Sequence, residues 1–158
     1  MKTERIIFGM NFYERAIALK EDTVADRRYF HTNAEVGLDM PKATAYVIQK
    51  LSEYGIEARR CGKGVTATIG SGGKVILLRA DMDALPMAEE SGLDFACPTG
   101  TEAHCCGHDL HAAMLLTAAM CLTACGQSQP SDSPGESGTD TSGEGFTISS
   151  AVLGEMYD

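Results

Sequence analysis

Apolar residues recur at helical spacing in two stretches at the front of the chain. Between Phe12 and His31 they alternate with charged positions and predict a helix, in which Asp22 or Thr23 begins a second helical segment. Pro41 suits the first turn of another helix, and Gly55 ends it in the left-handed conformation that glycine adopts readily. We therefore expect the first third of the chain to be helical.

Strand patterns follow this helical region. They predict strands at Ile56–Arg60, Gly64–Ile69 and Val75–Arg79, and Ser71-Gly-Gly73 predicts a hairpin turn between the last two. The four consecutive apolar residues from Val75 to Leu78 are typical of a strand that is buried on both faces. A loop over 84–103 and an apolar helix from Leu110 to Cys125 complete an α/β or α+β layered fold.

The character of the chain changes after Cys125. Residues 126–145 contain no aliphatic or aromatic side chain, so they cannot bury enough area to offset the entropy of ordering, and we expect a disordered linker rich in Ser, Gly and Asp. Residues 146–158 form a short tail in which Phe146–Leu153 has the pattern of a strand but no neighbouring partner. The ordered domain is therefore predicted to be 1–125.

The charge of the chain excludes several partners. The 158 residues carry a net charge of -9, and every Lys and Arg lies at or before Arg79. This distribution argues against nucleic acid and against anionic membranes. The six cysteines are not spaced like a secreted disulfide framework, which favours reduced thiols and a cytoplasmic location. No apolar stretch reaches the ~20 residues that span a bilayer.

Candidate ligand side chains concentrate behind the third strand. Carboxylate, thiolate and imidazole groups bind divalent transition metals and transfer protons near neutral pH. Cys106 and His108 stand two positions apart and can reach one cation, while Asp83 can orient a ligand or the metal. His104 and His111 are further ligands, supporting residues or substrate contacts. The cluster comprises Asp81, Asp83, His104, Cys106, His108, Asp109 and His111.

Three motifs in this chain resemble the M20 family of metallopeptidases and amidohydrolases, in the branch that cleaves N-acyl amino acids such as hippurate. They read RRYFHTNAEVG (27–37), LLRADMDALPMAEESGLDF (77–95) and HCCGHDLHAAMLLTAA (104–119). The first has Ala34 where the family usually has proline. The resemblance implies a partial zinc-peptidase-like layered sheet with flanking helices. It also implies a divalent metal, zinc or manganese with cobalt and nickel as alternatives, and a small N-acyl amino acid or peptide as substrate.

The resemblance assigns roles to individual positions. Cys106 and His108 match metal ligands, and Asp83 matches a catalytic-site aspartate of related branches. Asp81, His104, Asp109 and His111 are assigned as near-site residues. Family members continue into a paired-glutamate motif, further histidine ligands and a dimerisation domain, and none of these is recognisable here. We therefore expect a truncated catalytic domain over 1–125 that is weakly active or inactive, with an exposed sheet edge open to self-association.

Two other interpretations remain open from the sequence. The chain is alternatively a non-catalytic metal-binding fragment, in which Cys106 and His108 bind metal weakly. Residues ~120–145 also resemble a lipoprotein cleavage box, Leu122-Thr-Ala-Cys125, and its tether. In that reading Cys125 is a membrane anchor, although the position lies far from the N-terminus and lacks a basic leader. The chain is then a fusion of an N-terminal hydrolase-like part with a lipoprotein-like segment.

Overall fold

A computed structural model describes residues 11–71 and 74–123 and the backbone of 146–153. Its helices are α1 (Phe12–Ala18), α2 (Lys20–Thr32), α3 (Pro41–Glu53) and α4 (His108–Thr123). Its strands are β1 (Ala58–Cys61), β2 (Gly64–Ile69), β3 (Lys74–Val75), β4 (Leu78–Ala80) and β5 (Phe146–Leu153). The mixed helix and sheet composition confirms the predicted fold class.

The helix boundaries follow local capping chemistry. Asn11 and Glu14 form a reciprocal capping box at the start of α1. The second helical segment begins at Lys20, so the predicted start at Asp22 or Thr23 was wrong. The helices meet at Leu19, which is buried against Cys121 of α4, and this burial sets the position of the break. Pro41 opens α3 as predicted, and Gly55 beyond its end has φ 72°, in the left-handed region.

The sheet has the order β1-β2-β5-β3, and β4 also pairs with β5. β1 and β2 form the predicted antiparallel pair, with Ala58 opposite Ala67. The expected hairpin from β2 to the next strand was wrong, because β5 lies between β2 and β3. Gly72 and Gly73 of the predicted turn lie outside the described residues. Phe146–Leu153, for which no partner was expected, instead pairs with β2, β3 and β4.

The predicted strand Val75–Arg79 is replaced by two short strands, β3 and β4, which lie parallel to β5 at the edge of the sheet. The expectation that this apolar run is buried on both faces was also wrong, since Val75 is 61% exposed and Leu77 is 59% exposed. A strand at the edge of a sheet has a neighbour on one side only, so its side chains are covered less completely than those of a central strand.

A parallel crossover runs from β4 through α4 to β5. Such a connection lays its helix against the sheet, and one continuous hydrophobic core joins them. The helix begins at His108 rather than at the predicted Leu110. The largest fully buried apolar members of this core are Phe30, Met40, Val47, Leu51, Val65, Met82 and Leu116. The crossover places the C-terminal end of β4 beside the start of α4, and the candidate residues lie there.

Several sequence predictions concern residues beyond this description. The linker at 126–145 and Cys125 both lie outside the described residues. Within the described part, Cys61, Cys97, Cys105 and Cys106 form no disulfide. A search of the described helices finds none with the length and hydropathy needed to cross a membrane.

The position of β5 gives a stability prediction. Ala151 pairs with Ala67 on one side and with Leu78 on the other. Proline removes the backbone donor and is not tolerated inside a paired strand, so Ala151→Pro should lower the free energy of unfolding by about 1–3 kcal/mol, the cost of a backbone group left without its partner. Urea denaturation followed by circular dichroism measures the change. Ser137→Pro, in the predicted linker, is the control, and equal stabilities of the two variants would contradict the pairing.

Candidate metal centre

Backbone hydrogen bonds hold both ends of the loop between β4 and α4. The backbone N–H of Ala84 donates to the carbonyl of Glu35 at 2.7 Å. Leu85 and Ala103 exchange backbone hydrogen bonds of 2.9 and 3.0 Å. Because these bonds close the loop, the segment that begins at His104 returns to the strand end that carries Asp81 and Asp83. Chain segments more than twenty positions apart are thereby brought together.

The hydrogen bond between Asp83 and His108 is the central contact of the candidate centre. Nδ1 of His108 lies 2.8 Å from Oδ1 of Asp83 and 3.0 Å from the Asp83 carbonyl oxygen. An imidazole that donates through Nδ1 has its Nε2 available to bind a metal, and such a carboxylate partner orients the ring. Cys106, two positions earlier, has an exposed thiol. Gly107 between them adopts φ 82°, a left-handed conformation that glycine tolerates.

The other predicted near-site residues are placed differently. Asp81 forms an ion pair with Arg79. His111 is exposed one turn along α4, and its ring centroid lies 5.9 Å from that of His108. Across the described residues, no three His, Cys, Asp or Glu side chains are grouped closely enough to hold one metal ion. The assignments of Cys106 and His108 as ligands and of Asp83 as the catalytic residue therefore stay predictions.

A buried ionic network lies next to the candidate metal centre and joins α4 to α2. Asp109 is 1% exposed, and its Oδ2 accepts from Arg27 Nε at 2.7 Å and from His31 Nδ1 at 2.7 Å. Nε2 of His31 lies 2.9 Å from Oε1 of Glu89. Each ring nitrogen of His31 therefore faces a carboxylate, Nδ1 towards Asp109 and Nε2 towards Glu89. Asp109 also accepts from the N–H of Leu110 at 2.8 Å, so the network ties the first turn of α4 to α2.

Two groups in this region have shifted pKa values. Hydrogen bonds from Ser91 and from His31 hold the pKa of Glu89 below its ordinary value. Burial lowers the pKa of His104, opposed by the nearby negative charge of Asp109, and the low pKa favours a neutral imidazole. His104 is 6% exposed, and its Nδ1 finds no hydrogen-bond partner among the described residues.

Sequence reasoning missed three members of the ionic network as site residues. His31 and Arg27 belong to the first motif on α2, and Glu89 lies in the loop after Asp83. Asp109 was assigned only as near-site, and its burial between His31 and Arg27 makes it a residue that positions α4. The one signal in the sequence was the location of His31 and Asp109 in two of the motifs, which does not reveal that their side chains meet.

The chemistry of the donor set fits a divalent metal in part. Cys106 offers a thiolate and His108 offers Nε2, and both are ordinary ligands of zinc. A catalytic zinc site has three protein ligands in most proteins, so these two side chains make up part of such a site. Asp83 already serves the orienting role that metal-bound histidines require.

Residues 77–134 match the model of a protein family described as peptidase family M20/M25/M40. The chain is 39% identical over 102 residues to an N-acyl-L-amino acid amidohydrolase of Geobacillus stearothermophilus, covering 62% of this chain and 28% of the relative. It is 38% identical over 119 residues to the hippurate hydrolase of Campylobacter jejuni, covering 73% of this chain and 31% of the relative. The chain thus spans about a third of the length of these relatives.

A solved structure gives the same picture for the fold. The Bacillus subtilis YXEP protein, described as a dinuclear metal-binding peptidase from the M20 family, superposes with a TM-score of 0.71 at 29% sequence identity. The superposition covers 86% of this chain and 35% of that protein. Together the comparisons support the M20 family that the three motifs indicated.

The shifted pKa of Glu89 predicts a pH dependence of stability. Because its pKa is lower in the folded protein, the ionised carboxylate stabilises the fold above its unfolded pKa of about 4.3, and this contribution is lost as the pH falls through the folded pKa. Glu89→Gln should therefore be less stable than the wild type at pH 7, and the difference should shrink towards pH 3.

Urea denaturation at pH 7, 5 and 3 measures this difference. Glu90→Gln is the control, because it removes the same charge from the exposed neighbouring position. A deficit for Glu89→Gln that stays constant from pH 7 to pH 3 would show that the hydrogen bonds to Glu89 do not depend on its charge.

Proposed function

We propose that this chain, for which the motifs and the comparisons support the M20 family, is part of a metal-dependent hydrolase of amide bonds in N-acyl amino acids or small peptides. The branch is supported by the relatives named above, an N-acyl-L-amino acid amidohydrolase and a hippurate hydrolase. The cysteine spacing favours reduced thiols, and we propose a cytoplasmic location on that ground.

The observation that carries this proposal is the hydrogen bond from His108 Nδ1 to Asp83. It leaves Nε2 of His108 available as a ligand, and Cys106 supplies a thiolate from the same loop. A divalent ion bound there supplies Lewis-acid polarisation of a carbonyl and a water of lowered pKa. Asp83 holds the His108 ring in one orientation and tautomer, which keeps the ligand nitrogen directed away from the carboxylate.

The site proposed here is incomplete in this chain. Cys106 and His108 are two ligands, and no glutamate of the paired motif is available as a general base in the sequence. We propose that Zn²⁺ or Mn²⁺ binds weakly and that hydrolysis requires further ligands. Val75 of β3 and the two residues that connect β3 to β4, Ile76 and Leu77, have exposed apolar side chains, which supports the proposal of self-association at this edge.

Metal binding tests the proposed ligands directly. Cys106→Ser removes a thiolate ligand and should weaken Zn²⁺ binding at pH 7 by tenfold or more, measured by isothermal titration calorimetry. Asp83→Asn leaves both ligands but loosens the orientation of His108, and losses of roughly 10–100-fold are typical of such changes. Cys105→Ser is the matched control, because it removes the adjacent exposed thiol. Equal losses for the two cysteine variants would refute the assignment of Cys106.

Turnover tests the proposal that the site is incomplete. The 158-residue chain with added Zn²⁺ or Mn²⁺ should release glycine from hippurate far below the rates of roughly 1–1000 per second that are typical of enzymes. The physical reason is the missing general base, because no residue of the paired-glutamate motif would be at hand to take a proton from the attacking water. Hippurate hydrolysis at ordinary enzyme rates, abolished by Cys106→Ser, would show that the chain contains a complete site.

A further inference from the structure

A cavity of about 580 Å³ lies next to the candidate metal centre. Its wall includes Cys106 on one side and Arg27, Arg28 and Phe95 on another. This volume is within the range of about 300–1,000 Å³ that is typical of small-molecule sites. A ligand in this cavity would therefore contact both the proposed metal ligand and the pair of arginines.

The arginine side of the cavity is positively charged and prearranged. The guanidinium carbons of Arg27 and Arg28 lie 5.1 and 5.0 Å from the centroid of the Phe95 ring. Arg27 is balanced by Asp109, but no described carboxylate lies within ion-pair distance of Arg28. A guanidinium held against an aromatic ring is weakly hydrated and loses little freedom on binding, which favours a carboxylate as its ligand.

His104 provides an independent indication that this cavity holds a ligand. Its side chain lines the cavity and is 6% exposed, and Nδ1 has no partner among the described residues. Buried polar atoms in native proteins are nearly always hydrogen-bonded, and one left without a protein partner is satisfied by a water or by a polar group of a ligand. The cavity thus combines an unbalanced cation, an aromatic surface and an unpartnered ring nitrogen.

We infer that this cavity binds the free carboxylate of an acylated amino acid, with Arg28 as the residue that recognises its charge. The inference rests on the proposed function for the nature of the ligand and adds the residues that select it. Phe95 lines the same cavity and holds the Arg28 guanidinium against its ring. Arg28 distinguishes an N-acyl amino acid from its uncharged amide, because only the acid forms a charge-assisted hydrogen bond with the guanidinium.

The test compares hippurate with hippuramide, which has an amide in place of the carboxylate. The metal-free 158-residue chain is titrated with each probe, and binding is followed by ligand-observed NMR. Hippurate should bind more tightly than hippuramide, and Arg28→Met should weaken hippurate binding by about three- to tenfold while leaving hippuramide unchanged. Arg28→Lys should retain part of the preference, because the positive charge remains.

Arg59→Met is the matched control, since Arg59 is an exposed arginine on β1 and its loss changes the net charge by the same amount. Its hippurate affinity should equal that of the wild type. Equal binding of hippurate and hippuramide, no binding of either probe, or equal losses for Arg28→Met and Arg59→Met would overturn the inference. Zinc binding that depends on Cys106 would stand in each of these cases, so failure of this site is distinguishable from failure of the metal centre.

Discussion

The buried carboxylate of Asp109 is the contact on which the candidate region depends. It accepts hydrogen bonds from Arg27 and His31 of α2 while lying in the first turn of α4. A charge that is 1% exposed is tolerated only with such partners, and removing one of them from a buried pair costs about 3–5 kcal/mol. Because the chain satisfies Asp109 in this one arrangement, the start of α4 and the preceding Cys106 and His108 are held in position.

The sheet positions the aspartates of the candidate centre. β4 ends at Ala80, so Asp81 and Asp83 emerge from its C-terminal end, the edge where open α/β sheets form their sites. β5 pairs with β4 in parallel and thereby fixes the crossover that carries α4 across the sheet. The hydrogen bond from His108 to Asp83 then joins the strand end to the helix start. Strand pairing and the buried network together position Asp83 and the proposed metal ligands Cys106 and His108.

Local patterns were sufficient to predict much of this fold, and long-range contacts account for what they missed. Pro41 and Gly55 marked the limits of α3 through backbone chemistry that does not depend on tertiary structure. The apolar run at 75–78 was misread because hydrophobicity does not reveal whether a strand is central or at an edge. The pairing of β5 with β2 joins segments about eighty residues apart, and no local pattern encodes such a partner.

In the candidate site too, local sequence patterns indicated some of the residues, and long-range contacts account for the others. Asp83, Cys106 and His108 were predicted from residue type, spacing and the resemblance to the M20 motifs. Arg27, His31 and Glu89 were not, because their roles arise from contacts with Asp109 and with each other across the fold. His31 and Asp109 lie 78 positions apart, and each is unremarkable in its own segment. Only the folded structure shows that their side chains are hydrogen-bonded to each other.

The cavity beside Cys106 would affect the orientation of the proposed ligand as well as its affinity. In the proposed arrangement, an N-acyl amino acid held at its carboxylate by Arg28 would lose rotational freedom before its amide reached the proposed metal ligands. Such positioning contributes to rate by converting a bimolecular encounter into an oriented one. The two sides of the cavity are built on different elements, α2 and the loop before α4, and Asp109 bonds directly to Arg27 on α2. The network that holds α4 in place therefore also sets the distance between the carboxylate-binding side and the proposed metal ligands.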